Sequence, residues 1–162
     1  MMQVLILYES FFGNTKEIAY VIADAIEGAE EVTVREISTV DPETMQMPDL
    51  LIVGSPTRGF RPPPATMEFI SRLPEPHMLD QMFAAFDTRI ALSYIKSGVL
   101  RFIVKTGGYA ASVIEKKLRQ KGGVPIVPCD GFCVVDREGP LLEGELDRAR
   151  KWAAGIKTFH TA

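Results

Sequence analysis

Apolar, strand-like runs alternate with helix-like stretches along the whole sequence, and this alternation limits the folds open to the chain more than any other feature. The runs are QVLILY (3–8), VTVREI (32–37), DLLIVGS (49–55), MFAAFD (82–87) and VPIVPC (124–129). DLLIVGS is apolar without a break, the pattern of a strand buried on both faces rather than on one. Strands of that kind interleaved with helices predict a parallel sheet covered by helices on both sides.

The helix-like stretches fill the intervals. From Asn14 onward, Ile18, Val21, Ile22, Ala25 and Ile26 recur at helical spacing, Asn14 and Glu17 have the spacing of a capping box, and the helix is expected to end near Gly28. A polar stretch with Asp41 and Pro42 leaves room only for a short helix. A second short helix is expected over Ala65–Leu73, a longer one over Ala110–Arg119 closed by KGG, and a final one carrying Leu146, Ala149, Trp152, Ala153 and Ile156. Pro125 and Pro128 each remove a ladder donor, so VPIVPC is expected at a sheet edge.

The length of 162 residues suits a single domain over 1–162, and 46% hydrophobic residues supply a core. A net charge of −3 argues against a nucleic-acid partner. The N-terminus lacks a charged, secretory-type segment and no apolar run reaches the roughly 20 residues of a membrane span, so a cytoplasmic protein is expected. Cys129 and Cys133 lack a second ligand pair for zinc and read as reduced thiols; His77 and His160 belong to no ligand or base constellation.

In open α/β sheets, ligands bind beyond the carboxyl ends of the strands near the point where strand order reverses. Three loops therefore carry the chemical information. SFFGNT (10–15), between the first strand and first helix, has small residues that let backbone N–H groups face an anion, and the following helix adds its positive end. A phosphate is the ligand it suits; the alternative is that Asn14 and Thr15 only cap the helix. The segment is not a P-loop, and no G-x-G-x-x-G follows a strand, so neither a nucleoside triphosphate nor a Rossmann dinucleotide is supported. GSPTRGFRPPP (54–64) combines stiff prolines, Gly59, Phe60 and two arginines, against which a planar ligand can lie. FDTR (86–89) closes the other side of the same crevice.

Together SFFGNT, SPTRGF and FDTR resemble the three FMN loops of the flavodoxin family, and the order of elements matches over essentially the whole chain. The resemblance implies a flavodoxin-like, doubly wound, five-stranded parallel sheet of order 2-1-3-4-5, with FMN at the switch point and, from an uninterrupted fifth strand, the short-chain type. It implies that Ser10, Phe11, Phe12, Gly13, Asn14 and Thr15 form the phosphate loop, with Ser10, Gly13, Asn14 and Thr15 holding the phosphate. Ser55, Pro56, Thr57, Arg58, Gly59 and Phe60 are implied to line one side of the isoalloxazine, and Phe86, Asp87, Thr88 and Arg89 to contact its pyrimidine end or ribityl side. Phe12 departs from the family pattern, which usually has a threonine there, so weaker binding is expected.

The function implied is electron transfer with redox partner proteins. An FMN-dependent oxidoreductase of the quinone reductase or protoporphyrinogen oxidase type is one alternative, and a flavin-free interaction module a second. Gly59 is the candidate for a peptide that turns its carbonyl on reduction; otherwise it shapes a turn. Arg58, Arg61, Arg89 and Lys96, set against Asp87 and Glu9, form an expected basic rim that favours the fully reduced anion and docks an acidic partner or anionic substrate. The apolar segment 90–105 has three readings: a flavin cover through Tyr94, a homodimer contact, or the core packing of an extra helix. A receiver domain shares the topology, but here Gly54, Ser55 and Pro56 end the third strand where phosphotransfer needs an aspartate.

Overall fold

The computed structural model describes residues 2–91, 98 and 109–161, with side chains described as far as Ile156. In chain order the elements are β1 (Gln3–Tyr8), α1 (Asn14–Ala25), β2 (Glu31–Glu36), a 3-10 turn (Ile37–Thr39), β3 (Leu50–Pro56), α2 (Pro64–Arg72) and α3 (Glu75–Met78). They continue with β4 (Met82–Ile90), α4 (Ala110–Gln120), β5 (Val124–Pro125), β6 (Asp130–Val134) and α5 (Glu145–Thr161). The sheet is parallel, in the order β2-β1-β3-β4-β5, and β6 also pairs with β4.

Successive residues of the central strands point to opposite faces, so each strand feeds two cores. Ile6, Ile52 and Ala84 pack with Ile18 and Ile22 of α1 and Ala149, Ala153 and Ile156 of α5. Leu7, Leu51, Val53 and Ala85 pack on the other face with Phe69 and Ile70 of α2 and Ile114 and Leu118 of α4. Every residue of β3 from Leu50 to Ser55 is buried, as the unbroken apolar run predicts. Each such Leu, Ile or Phe contributes roughly 1.5–3 kcal/mol on leaving water.

The aromatic contacts of the first core fix the β3–β4 register. Phe86 meets Phe132 and Trp152 edge-on, with ring centroids 6.2 and 6.1 Å away. Its ring fills the space above Gly54, its cross-strand partner, where an added Cβ would lie 2.0 Å from the ring tip.

Several boundaries differ from the sequence expectation. α1 begins one residue after its N-cap, Gly13, and no side chain caps it, so Asn14 and Glu17 form no capping box. Asn14 instead donates its side-chain N–H to the Glu138 carbonyl. The fifth strand position is not one uninterrupted run over 124–129: only Val124 and Pro125 pair with β4, the chain leaves the ladder across Pro128, and pairing resumes over Asp130–Val134. β4 correspondingly runs on to Ile90 because β6 supplies hydrogen bonds along its far half. Pro125 and Pro128, having no N–H to give, account for the break.

Glu145, at the start of α5, ties that helix to the sheet. Its carboxylate accepts the Cys133 N–H at 2.6 Å and the Arg148 Nε–H at 2.9 Å. Burial alone raises the Glu145 pKa, but the Arg148 and Cys133 hydrogen bonds outweigh it and hold the carboxyl below its ordinary range. Cys129 and Cys133 are free thiols; burial, reinforced by Glu115, pushes Cys129 up to about 12.

Two outcomes are expected. Gly54→Ala costs about 2–3 kcal/mol in denaturant unfolding through overpacking, and most of that cost disappears when Phe86 is first shortened to Leu. Because the Glu145 pKa is depressed in the folded state, its contribution is complete above the ordinary carboxylate pKa and is lost as pH falls through the folded value. The stability gap between the wild type and Glu145→Gln therefore closes on acidification below about pH 4, and a gap independent of pH contradicts the assignment.

Candidate functional site

The strand order reverses between β1 and β3, and the crevice at their carboxyl ends is the switch point of the sheet. The first wall is the loop from β1 to α1. Its base is set by the Glu9 N–H, which donates to the Gly54 carbonyl at 3.0 Å, and by the Glu9 carboxylate, which accepts the buried Thr66 hydroxyl at 2.6 Å. Ser10 Oγ accepts the Gly13 N–H at 3.0 Å, closing a tight turn. Gly13 has φ of +93°, a conformation costly for any residue with a Cβ. The first-turn N–H groups of α1 have no intrahelical partner and no side-chain cap, so the positive end of the helix is left open toward the crevice. Thr15 is buried against Thr88, their hydroxyl oxygens 2.8 Å apart.

The second wall follows β3. Thr57 donates its N–H to the Thr88 carbonyl, and its hydroxyl accepts the Ala110 N–H at 3.1 Å. Arg58 and Arg61 then exchange backbone hydrogen bonds of 2.8 and 3.1 Å around a two-residue turn. Both central residues have positive φ, Gly59 at +56° and Phe60 at +64°, the pattern of a type I′ turn. The Arg58 guanidinium leans back over the first wall, 4.8 Å from the Phe11 ring centroid and 5.9 Å from that of Phe12.

The floor is the end of β4. Thr88 faces α1, whereas Asp87 and Arg89 face α4. Asp87 is completely buried; its carboxylate accepts Arg89 Nε at 2.7 Å and Nη2 at 2.8 Å, together with the Ala111 N–H at 2.8 Å. The Arg89 guanidinium lies 3.8 Å from the Tyr109 ring centroid. It crosses β6 at Gly131, where a Cβ would stand 1.9 Å from its Nε. Burial raises the Asp87 pKa, and the Arg89 hydrogen bond and charge and the Ala111 N–H work against that shift.

The crevice brings together most of the sequence-predicted residues. Ser10, Phe11, Phe12, Asn14 and Thr15 line one side, Pro56, Thr57 and Arg58 the opposite side, and Thr88 and Arg89 the floor. Gly13, Gly59 and Phe60 shape the walls without lining them. The side chains of Ser55, Phe86 and Asp87 are buried outside the crevice: Ser55 bonds the Pro56 carbonyl, Phe86 belongs to the core, and Asp87 serves Arg89. The basic rim is correspondingly reduced, since Arg89 is paired and Arg61 does not line the crevice. Lys96, Tyr94 and the homodimer segment lie outside the described residues, apart from Ile90, Ala91 and position 98. Ile90, Val134 and Arg137 line the crevice without having been singled out in the sequence. The run FCVV (132–135), followed by the turn-forming Asp136 and Gly139, was the available signal.

The sequence model of the flavodoxin family matches residues 6–154. The chain belongs to the flavodoxin family. Among solved structures it is similar to a flavodoxin from the domain Archaea, with a TM-score of 0.75 and 20% identity over 99% of this chain and 100% of that one. It is also similar to oxidised flavodoxin 1 from Bacillus cereus (TM-score 0.70, 19% identity, 96% and 97% covered). A short-chain flavodoxin associated with a PDU bacterial microcompartment gives a TM-score of 0.72 at 18% identity, with 98% and 99% covered. No curated protein sequence matches. As a flavodoxin the chain binds FMN and transfers electrons. The crevice fits that cofactor: an uncapped helix N-terminus and hydroxyls suit a phosphate, and apolar and aromatic walls suit a flat ring.

The buried pair under the floor generates a prediction. Asp87→Asn leaves Arg89 largely buried without its counter-charge and costs about 3 kcal/mol in urea unfolding. Replacing Arg89 by Met in the same protein recovers a substantial part. A loss below about 1 kcal/mol, within the range of an exposed pair, contradicts the burial of the charge.

Proposed function

We propose that FMN is held with its phosphate at Ser10–Thr15 and the open end of α1, and with its ring between the Pro56–Phe60 wall and the Thr88–Arg89 floor, in a protein that passes single electrons to partner proteins. The observation that carries this reading is the uncapped α1 N-terminus opening into a crevice at the sheet's switch point. FMN supplies the redox chemistry when bound; the chain binds, orients and tunes it. Residues 1–162 act as one domain, and the cytoplasm is the proposed location. Among the described residues no helix is long and apolar enough to cross a membrane.

The Gly59–Phe60 turn is the tuning element this reading assigns. Glycine at the first central position and phenylalanine at the second suit a type II′ turn, in which only the first has positive φ. The observed turn holds Phe60 at +64° instead, a conformation that costs a bulky residue about 1 kcal/mol or more. Rotating the Gly59–Phe60 peptide returns Phe60 to negative φ and reverses the Gly59 carbonyl. The turn would thus be able to offer that carbonyl as a hydrogen-bond acceptor to a bound, reduced flavin. Phe60→Gly removes the strain that the rotation relieves.

Titration of the apoprotein with FMN is expected to quench flavin fluorescence at one equivalent, and absence of binding overturns the reading. Potentiometry on the reconstituted protein is expected to resolve two one-electron steps, with Phe60→Gly lowering the first by about 60 mV, the equivalent of tenfold in an equilibrium constant. A single two-electron step with rapid bleaching by NAD(P)H points instead to an oxidoreductase with its own substrate.

A further inference from the structure

Five of the nine arginines among the described residues, Arg72, Arg89, Arg119, Arg148 and Arg150, are paired with a carboxylate. Among the described residues Arg35, Arg58, Arg61 and Arg137 have no such partner, and of these Arg58 and Arg137 line the crevice into which the open end of α1 faces. They arrive from different parts of the chain, Arg58 after β3 and Arg137 after β6, and each is delivered by a contact with the first loop.

For Arg58 that contact is the Phe11 ring, with Phe12 beyond it. Both phenylalanines are about half exposed, which would be a poor use of two large apolar side chains if they served only the core. A guanidinium stacked on an aromatic face keeps its N–H donors free at the edges. For Arg137 the contact is made by its neighbours Glu138 and Gly139, which meet Asn14. The Asn14 side-chain amide donates to the Glu138 carbonyl at 3.0 Å and sits so close to Gly139 that a Cβ there would lie 2.6 Å from Oδ1. Gly139 also has φ of +102°, so the backbone turns beneath Asn14 in a way that a residue with a side chain resists. Asn14 is therefore a latch holding the 135–141 loop, and with it Arg137, against the first loop.

We infer that Arg58 and Arg137 form a two-arginine clamp for the phosphate monoester dianion, with Phe11 and Asn14 as the residues that position them. This inference rests on the FMN reading above and deepens it. It also gives position 12 a physical account. Phe12 offers no hydroxyl to an anion, whereas two charged, multi-donor groups replace such a hydroxyl with stronger, charge-assisted hydrogen bonds. A clamp of this kind selects the phosphorylated flavin over its dephosphorylated form, and its affinity falls as salt screens the charges.

The test is fluorescence titration of the full-length apoprotein with FMN and with riboflavin, at about 20 and about 500 mM NaCl. Arg58→Gln and Arg137→Gln are each expected to weaken FMN binding about tenfold or more, to weaken riboflavin binding far less and to flatten the salt dependence. Asn14→Ala is expected to reproduce the Arg137→Gln loss and to add little in an Arg137→Gln background. A merely structural role for Asn14 would lower riboflavin affinity equally and would remain additive. Unaltered FMN affinity in both arginine variants, or equal losses for FMN and riboflavin, overturns the clamp while leaving FMN binding intact. Phenyl phosphate, followed by 31P NMR, separates the two readings further: if the wild type binds it through these arginines but does not bind FMN, the clamp stands and the cofactor assignment falls. Phenyl phosphate binding that survives both substitutions overturns the clamp.

Discussion

Burial of β3 on both faces is the constraint from which the rest of the molecule follows. A strand with no exposed residue from Leu50 to Ser55 must have neighbours on both edges and helices on both sides. β1 and β4 supply the edges, and the two cores supply the faces. Gly54 lets the Phe86 ring settle onto the strand next to it, so the register of β3 against β4 is set by shape as well as by hydrogen bonds. That register brings Thr57 to the Thr88 carbonyl and the Thr15 hydroxyl to Thr88, and so closes the floor of the crevice.

The electrostatics of the site follow a division between charges that hold the fold and charges left free. Asp87, Arg89, Glu145 and Arg148 are spent on one another and on backbone N–H groups, tying β4, β6, α4 and α5 together. The crevice is left with the open dipole of α1 and two unpaired guanidinium groups. A crevice so arranged is poised for an anion without any net basic character in the chain, whose formal charge is −3. Overall charge describes solubility and long-range attraction, whereas ligand choice depends on which groups remain without a partner.

The turns at SFFGNT and SPTRGF were legible because their backbone preferences are local: small residues between a strand and a helix, and a glycine beside prolines, mean much the same in any α/β context. The FDTR segment was legible only in part. As a loop it offered four residues to a ligand; as the end of a strand it alternates, sending Phe86 and Thr88 to the α1 face and Asp87 and Arg89 to the α4 face, and only Thr88 and Arg89, nearer the carboxyl end, line the crevice floor. What lengthened that strand was β6, a run hidden behind two prolines and a glycine. Gly131, an ordinary turn residue on paper, is the space through which Arg89 passes. Arg137 was equally silent, since an arginine between Asp136 and Glu138 reads as a solvated surface charge.

By itself the sequence determined the alternation of buried strands and amphipathic helices, the parallel sheet they require and the small-residue turn after the first strand. Each of these depends on residues close together in the chain, where hydrophobic period and backbone preference act directly. The tertiary structure alone decided which charges cancel, which arginines stay free and where the edge strand breaks and resumes. Those outcomes depend on residues far apart in sequence, such as Asn14 and Glu138 or Arg89 and Gly131, whose meeting is fixed only once the sheet has chosen its register.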